Sequence, residues 1–279
     1  MNYNKNLSIL KTIGLFDKKK YNKLSIQNSQ KYLAAKPFPN IQFKNFLSID
    51  VANNLSKSFP DYKSKKWFSY KNFNTTSNSN FKKSIQDERN FPLIFRSIFR
   101  EFNSRQFILF LESLTGIENL IPDPYFLGGG IHLAKKGGFL KVHTDFNWHH
   151  KLQLHRRVNV LFYLSKNWKK DFGGYLELWN KNKTKKIIEF EPKFNSCVIF
   201  NTSALSYHGH PVPVNGDKNT FRKVLNLYYY TSDRKKNEIY NPTFTNYGKI
   251  KKQRIIKKKF KIDSNPWCLS LLKDYKNFK

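Results

Sequence analysis

The sequence predicts a mainly β protein of the α+β class, an antiparallel sandwich or jelly roll supported by helices from its N-terminal half. Three observations carry this expectation. After Pro124 the chain breaks into short strand-like runs separated by glycines and polar turns. Before it, apolar residues recur at helical spacing. At 279 residues the chain can bury a substantial core as one enlarged domain, since sheet-rich domains commonly exceed about 200 residues.

Taken in order, Met1 to Ala35 is polar and basic with weak periodicity and reads as a loosely packed lead-in, closed by Pro37 and Pro39. A short strand is expected from Ile41. Ser48 then suits the N-cap of a helix whose Val51, Leu55 and Phe59 make one apolar stripe, ending before Pro60. The Asn/Ser/Thr-rich stretch Lys71 to Asn80 reads as a loop. Phe91 to Gly116 predicts two helices broken at Asn103-Ser104. Ser104 caps the second, Phe107, Ile108, Leu111 and Leu114 form its buried face, and Gly116 suits the left-handed residue past its end.

Phe126 to Gly130, with three consecutive glycines, reads as a turn or close backbone approach. It is not a phosphate loop, because no Gly-Lys-Ser/Thr pattern follows. Strands are expected at 130–135, 139–145, 157–165, 175–179, 186–190, 197–201 and 222–231, with turns at Lys136-Gly137-Gly138 and Gly173-Gly174. The expected organisation is a lead-in over 1–35, one domain over 36–231 (helical support 36–120, jelly-roll core 121–231) and a basic extension over 232–279.

Lys and Arg outnumber Asp and Glu by 51 to 19, a formal net charge of +32. Clustered cations would point to a polyanion. Here they are mostly lysines scattered along the chain, so a nucleic-acid partner is not the favoured reading. The densest run, Lys249 to Lys261, reads as a solvated tail able to stick to anionic surfaces. Cys197 and Cys268 exclude a disulfide framework and a zinc-thiolate site. Met1 to Lys20 has no unbroken apolar run, and no later window reaches membrane-spanning length. A soluble, cytoplasmic protein is expected.

The chemistry-bearing stretch is His143-Thr144-Asp145, followed by His208 and Arg222. Two histidines and one carboxylate are the ligand set that holds non-haem Fe(II) on one face while leaving positions open. In a strand, residues two apart share a face, so His143 and Asp145 can reach one metal together. His132, His149, His150, His155 and His210 read as surface or hydrogen-bonded residues. His210 is the nearest rival to His208. Trp148 and Arg156 are candidates for substrate contact or for structure.

The ordered set of His143-Thr-Asp145, the run from Arg156 to Trp168, Gly173-Gly174-Tyr-Leu176-Glu-Leu178, Phe200-Asn201-Thr202, His208-Gly209-His-Pro211-Val and Arg222 resembles the 2-oxoglutarate/Fe(II)-dependent dioxygenases of the prolyl-hydroxylase type. Pro37-Phe-Pro-Asn-Ile-Gln-Phe, Asn45-Phe-Leu-Ser and Phe59-Pro60 extend the likeness upstream, so that it covers about residues 36 to 231. The resemblance implies a double-stranded β-helix core, the jelly-roll variant. It implies that His143, Asp145 and His208 hold Fe(II), which 2-oxoglutarate chelates beside a position for O2, with ascorbate as a candidate reductant. Arg222 would anchor the far carboxylate of the cosubstrate with a planar fork that lysine lacks, and Tyr163 would share it.

The interval from His208 to Arg222 departs from the pattern by an apparent insertion at Asn215-Gly216-Asp217-Lys218, which leaves Lys218 and Lys223 as competing anchors. Alternation along the last strand favours Arg222, placing it with Val224 on one side and Lys223 on the other. Counting in twos from Tyr163 puts Asn159 and Leu161 on the same inward face.

The resemblance implies hydroxylation of a C–H bond in a prolyl or other amino-acid residue, with release of succinate and CO2. The hydroxylation substrate itself, a protein, peptide or small molecule, is not named by the sequence. Two other readings stay open: a nucleic-acid oxidative demethylase with the same chemistry, and a non-catalytic jelly-roll binding module. The loop Phe146–His155 and the segment after Thr231 are expected to shape acceptor choice.

Overall fold

A computed structural model describes residues 14–69 and 79–247. Among these, four helices pack on one side of a twelve-stranded antiparallel sheet. The first helix, α1 (Lys18–Ala34), corrects the expectation of a loose lead-in. Its sequence is too polar to show a stripe, yet Asp17 caps it by accepting from the Lys20 amide, and Tyr21, Ser25 and Tyr32 are buried. Polar contacts hold it: the Tyr21 hydroxyl donates to the Phe46 carbonyl at 2.8 Å, and that of Tyr32 to Asn201 Oδ1 at 2.7 Å.

Strand β1 (Asn40–Phe43) leads to α2 (Ile49–Lys57), where Ser48 occupies the N-cap position without a side-chain cap bond. Then come β2 (Phe68–Ser69) and β3 (Ser79–Ile85), which the sequence had not marked as strands. The loop expected at Lys71 to Asn80 lies outside the described residues as far as Asn78, and from Ser79 it is strand. The two helices predicted next are α3 (Leu93–Phe102) and α4 (Arg105–Thr115). The Ser104 side chain accepts from the Phe107 amide, and Gly116 is left-handed at φ 66°. Phe107, Phe110, Leu111 and Leu114 are its buried apolar residues, with Ile108 half-buried beside them.

The remaining strands are β4 (Ile121–Pro122), β5 (Gly130–His143), β6 (Trp148–His149), β7 (Leu154–Tyr163), β8 (Leu176–Trp179), β9 (Lys186–Phe190), β10 (Ser196–Asn201), β11 (His208–His210) and β12 (Arg222–Thr231). The sheet order is β1-β10-β7-β12-β5-β11-β8-β9, with β3 added on β5, β4 on β12 and β6 on β7. The turn expected at Lys136-Gly137-Gly138 is instead a bend within one long strand. β3 pairs with both halves of β5 and shifts register between them, so partners on another strand carry the ladder past the glycines.

Strand alternation sorts the core into two faces. Val158, Val160 and Phe162 of β7, Cys197 and Ile199 of β10, and Leu225, Leu227 and Tyr229 of β12 pack against the helices in the larger cluster. Their neighbours Leu161, Tyr163, Val198, Phe200 and Val224 join Leu176, Leu178 and Phe190 in a second cluster. That cluster unites β10 with β8 and β9, which lie far apart in sheet order. The sheet therefore folds on itself as a jelly roll, its two halves facing each other across the interior.

Gly130 is one place where the fold needs glycine. Its φ is +86°, and a Cβ would collide with the Ile85 carbonyl of the paired strand β3. Gly130→Ala is expected to lower stability by about 2–3 kcal/mol, because both the backbone conformation and the strand contact are lost. Urea denaturation with an unchanged slope checks this. A shift of less than about 0.5 kcal/mol would show that the close approach relaxes freely.

Candidate active site

Inside the jelly roll, β5, β7, β8, β11 and β12 enclose a cavity of about 220 Å³. β11 lies between β5 and β8, and its register sets His208 opposite His143. The sequence had placed His208 after a strand, whereas it opens this short one. Asp145 follows the end of β5, two residues beyond His143. One ligand atom from each of His143, Asp145 and His208 lies within 4.8 Å of the others. The shortest approaches are His143 Nε2 to Asp145 Oδ1 at 3.5 Å and His208 Nε2 to Asp145 Oδ2 at 3.3 Å.

Backbone carbonyls orient both imidazoles. His143 Nδ1 lies 2.8 Å from the Lys141 carbonyl and His208 Nδ1 2.9 Å from that of Ser206. A carbonyl only accepts, so each Nδ1 donates to its carbonyl, and each Nε2 is turned toward Asp145. Burial, with His208 nearby, lowers the His143 pKa and keeps that ring neutral. Burial would raise the Asp145 pKa, but the Arg156 charge beside it, with His208, holds the carboxyl well below the usual aspartate range.

Arg156 is 1% exposed. Its Nη2 donates to Asp145 Oδ2 at 2.8 Å, and Nε and Nη2 both donate to Asn159 Oδ1. Asn159 Nδ2 donates to the same Asp145 oxygen at 2.7 Å. The guanidinium also lies over the rings of Tyr228, at 3.4 Å from the centroid, and Phe146, at 4.5 Å. Arg156 is thus a buried counter-ion of Asp145 that lines the cavity, while Trp148, the other candidate, packs edge-on against His155.

At the other end, Arg222 lines the cavity from the start of β12. Its Nε donates to the Gly174 carbonyl at 2.8 Å and its Nη2 to the Tyr163 hydroxyl at 3.1 Å. The Gly173-Gly174 turn makes room: a Cβ on Gly174 would meet Val214 Cγ2 at 2.9 Å and Arg222 Cδ at 3.4 Å. Tyr163 is fully buried and reaches the cavity through Arg222 rather than lining it. The competing lysines point elsewhere. Lys218 is exposed, and Lys223 donates to the Ser56 carbonyl at 3.3 Å on the helical side of the sheet.

The remaining histidines do not join the cluster. His132 faces the Gly129 carbonyl at 2.8 Å, and His149 is buried with Nε2 3.4 Å from Asp123 Oδ1. His150 stacks on Phe244. His210 lines the cavity, and burial pushes its pKa well down.

Two contributors were invisible in the sequence. Lys82 of β3 lines the cavity near Arg222, and nothing in its local run distinguishes it from the neighbouring Lys83. The segment 241–247, assigned by sequence to a basic extension, folds back as a wall of the cavity. Thr144 and Asn246 exchange backbone hydrogen bonds at 3.0 and 2.9 Å, and the Asn147 side chain clasps the backbones of Asn241 and Thr243. Phe244, Thr245 and Tyr247 thereby line the cavity. The basic run Lys249 to Lys261 and Cys268 lie outside the described residues.

The donor set fits a hard-to-borderline divalent metal: two imidazole nitrogens and one ionised carboxylate, each oriented by a second bond. The Arg222 end fits a carboxylate. Residues 129–230 match the sequence model of the 2OG-Fe(II) oxygenase superfamily, a span that includes all five residues singled out from sequence. No curated protein matches the chain.

Among solved structures, the chain is similar to a Trichoplax adhaerens prolyl hydroxylase in complex with a hypoxia inducible factor oxygen degradation domain peptide fragment. They share 19% identity over 76% of this chain and 91% of that one, with a TM-score of 0.55. A Pseudomonas putida prolyl-4-hydroxylase is similar at 14% identity, 75% and 98% coverage and a TM-score of 0.46. HygX from Streptomyces hygroscopicus, with nickel, 2-oxoglutarate and hygromycin B bound, is similar at 9% identity, 74% and 92% coverage and a TM-score of 0.46. Of the three, the Trichoplax enzyme supports the jelly-roll fold.

Proposed function

We propose that this chain, whose residues 129–230 match the 2OG-Fe(II) oxygenase superfamily, is a 2-oxoglutarate- and Fe(II)-dependent dioxygenase in which His143, Asp145 and His208 ligate the iron and Arg222, steadied by Tyr163, anchors the remote carboxylate of 2-oxoglutarate. We further infer that the enzyme hydroxylates a C–H bond of a prolyl or other amino-acid residue. The observation that carries this reading is the orientation of the two imidazoles, whose Nε2 atoms converge on Asp145 from His143 and His208.

With iron and 2-oxoglutarate bound, the pair supplies the oxidising power for hydroxylation with O2, releasing succinate and CO2. The chain's own residues do the positioning. Arg156 and Asn159 both donate to Asp145 Oδ2, which leaves Oδ1 the freer oxygen for the metal. Asp145 stays ionised because Arg156 is beside it, so no proton has to leave when the metal arrives. Phe146, Tyr228, Phe244 and Tyr247 give the acceptor side aromatic walls that limit water around the reacting group. A relative of the same fold holds a peptide, which supports an amino-acid acceptor here.

The test is anaerobic absorption of the Fe(II) protein during addition of 2-oxoglutarate. A visible charge-transfer band is expected, and His208→Ala should abolish it. A band that survives that substitution would overturn the ligand set. Succinate release should then rise with proline-containing peptides. A rise with single-stranded oligonucleotides alone would transfer the acceptor to nucleic acid.

A further inference from the structure

Resting on that reading of the cosubstrate site, we propose that Lys82 is a second cationic anchor for the remote carboxylate of 2-oxoglutarate, working beside Arg222. Strand register brings the two cations together. On β5, Ala134 is the partner of Arg222 in β12 on one side and of Lys82 in β3 on the other. Directly paired residues project to the same face of a sheet, so Lys82 and Arg222 flank Ala134 in one row. Both line the cavity. The residue between them carries only a methyl group, too short to separate two long cationic side chains that border one cavity. Lys83 takes the opposite face, its Nζ 3.9 Å from the centroid of the Tyr62 ring.

The surroundings make this end of the cavity an anion site. Charged or titratable groups near Lys82 are Arg222 of β12, His132 of β5, His210 of β11 and Asp145 beyond β5. Burial and the neighbouring cations keep both histidines neutral. Asp145 already has Arg156 as its counter-ion at 2.8 Å. Burial, then the Arg222 charge, lowers the Lys82 pKa to about 8. A carboxylate arriving between the two cations relieves their mutual repulsion and favours the protonated lysine.

Lys82 also lies outside the residues that match the oxygenase family, 129–230, so this anchor comes from the N-terminal part of the chain.

The experiment is calorimetric titration of the nickel-loaded full chain, wild type and Lys82→Met, with 2-oxoglutarate and with 2-oxopentanoate, which has a methyl group in place of the remote carboxylate. The substitution is expected to weaken 2-oxoglutarate binding about tenfold or more, as for loss of a charge-assisted hydrogen bond, and to leave 2-oxopentanoate binding unchanged. Wild-type affinity for 2-oxoglutarate should also fall as pH rises through about 8, because binding then has to take up a proton on Lys82. The variant should show no such fall.

Equal 2-oxoglutarate affinity in the two proteins would overturn the proposal while leaving the cosubstrate reading intact. Equal weakening of both ligands would also overturn it, placing the effect at the metal or the fold. Failure of the nickel-loaded wild type to bind 2-oxoglutarate would overturn the cosubstrate reading, and the second anchor with it.

Discussion

Asp145→Ala is expected to lower metal affinity by more than about two orders of magnitude, beyond the 10–100-fold typical of losing a residue that merely supports a ligand. It should also destabilise the metal-free protein. Asp145 is the one anionic member of the donor cluster, and it is the counter-ion of an arginine that is 1% exposed. Removing one partner of a buried ion pair costs about 3–5 kcal/mol, because the other charge is left without compensation. Asn159 would remain as an acceptor for Arg156, but a neutral amide cannot offset a full charge.

The two effects separate by experiment. Adding Arg156→Met to Asp145→Ala should recover much of the stability in urea without restoring metal binding. The Asp145 contribution also has a pH signature. Its folded pKa is depressed, so the stabilisation is present above the ordinary aspartate range and is lost as pH falls through the folded value. Asp145→Ala should remove that acid-sensitive component. A variant that binds metal with wild-type affinity would remove Asp145 from the ligand set.

Arg222→Met is expected to weaken 2-oxoglutarate by about 30-fold to a thousandfold or more while metal affinity stays near wild type. The range follows from the roughly 2–5 kcal/mol lost when one partner of a buried, hydrogen-bonded charge pair is truncated. Arg222 is suited to the task because its Nε is held by the Gly174 carbonyl and its Nη2 by the Tyr163 hydroxyl, so the fork is oriented before any ligand arrives. The same bonds mean that the substitution strands two buried acceptors, and a stability loss of about 1–3 kcal/mol should accompany it. The measurement is the 2-oxoglutarate concentration dependence of the anaerobic charge-transfer band. Unchanged affinity would shift the anchor to Lys82, since Lys218 is exposed and Lys223 faces the helical side.

Most of what the sequence disclosed rests on local periodicity. Arg222, Val224 and Asn226 share a face of β12, and Asn159 and Leu161 share one of β7, because residues alternate along any strand whatever it pairs with. The Ser104 cap and the left-handed Gly116 were legible for the same reason, since both depend on a few consecutive residues. The lead-in helix α1 was not, because its buried tyrosines are held by hydrogen bonds to distant partners instead of by an apolar stripe.

By itself, then, the sequence determined the strand character of the second half and the order of the five candidate site residues, two imidazoles and a carboxylate among them. Only the tertiary structure decided that Arg156 and Asn159 share Asp145 Oδ2, that 241–247 close a wall of the cavity, and that Lys82 stands level with Arg222. Those facts depend on the register between strands and on chain returns over long separations. A one-residue slip in the β3–β5 pairing would put Lys83 in the place of Lys82 and carry Lys82 out of the cavity. No local pattern in a run that reads Lys82-Lys83 can choose between them.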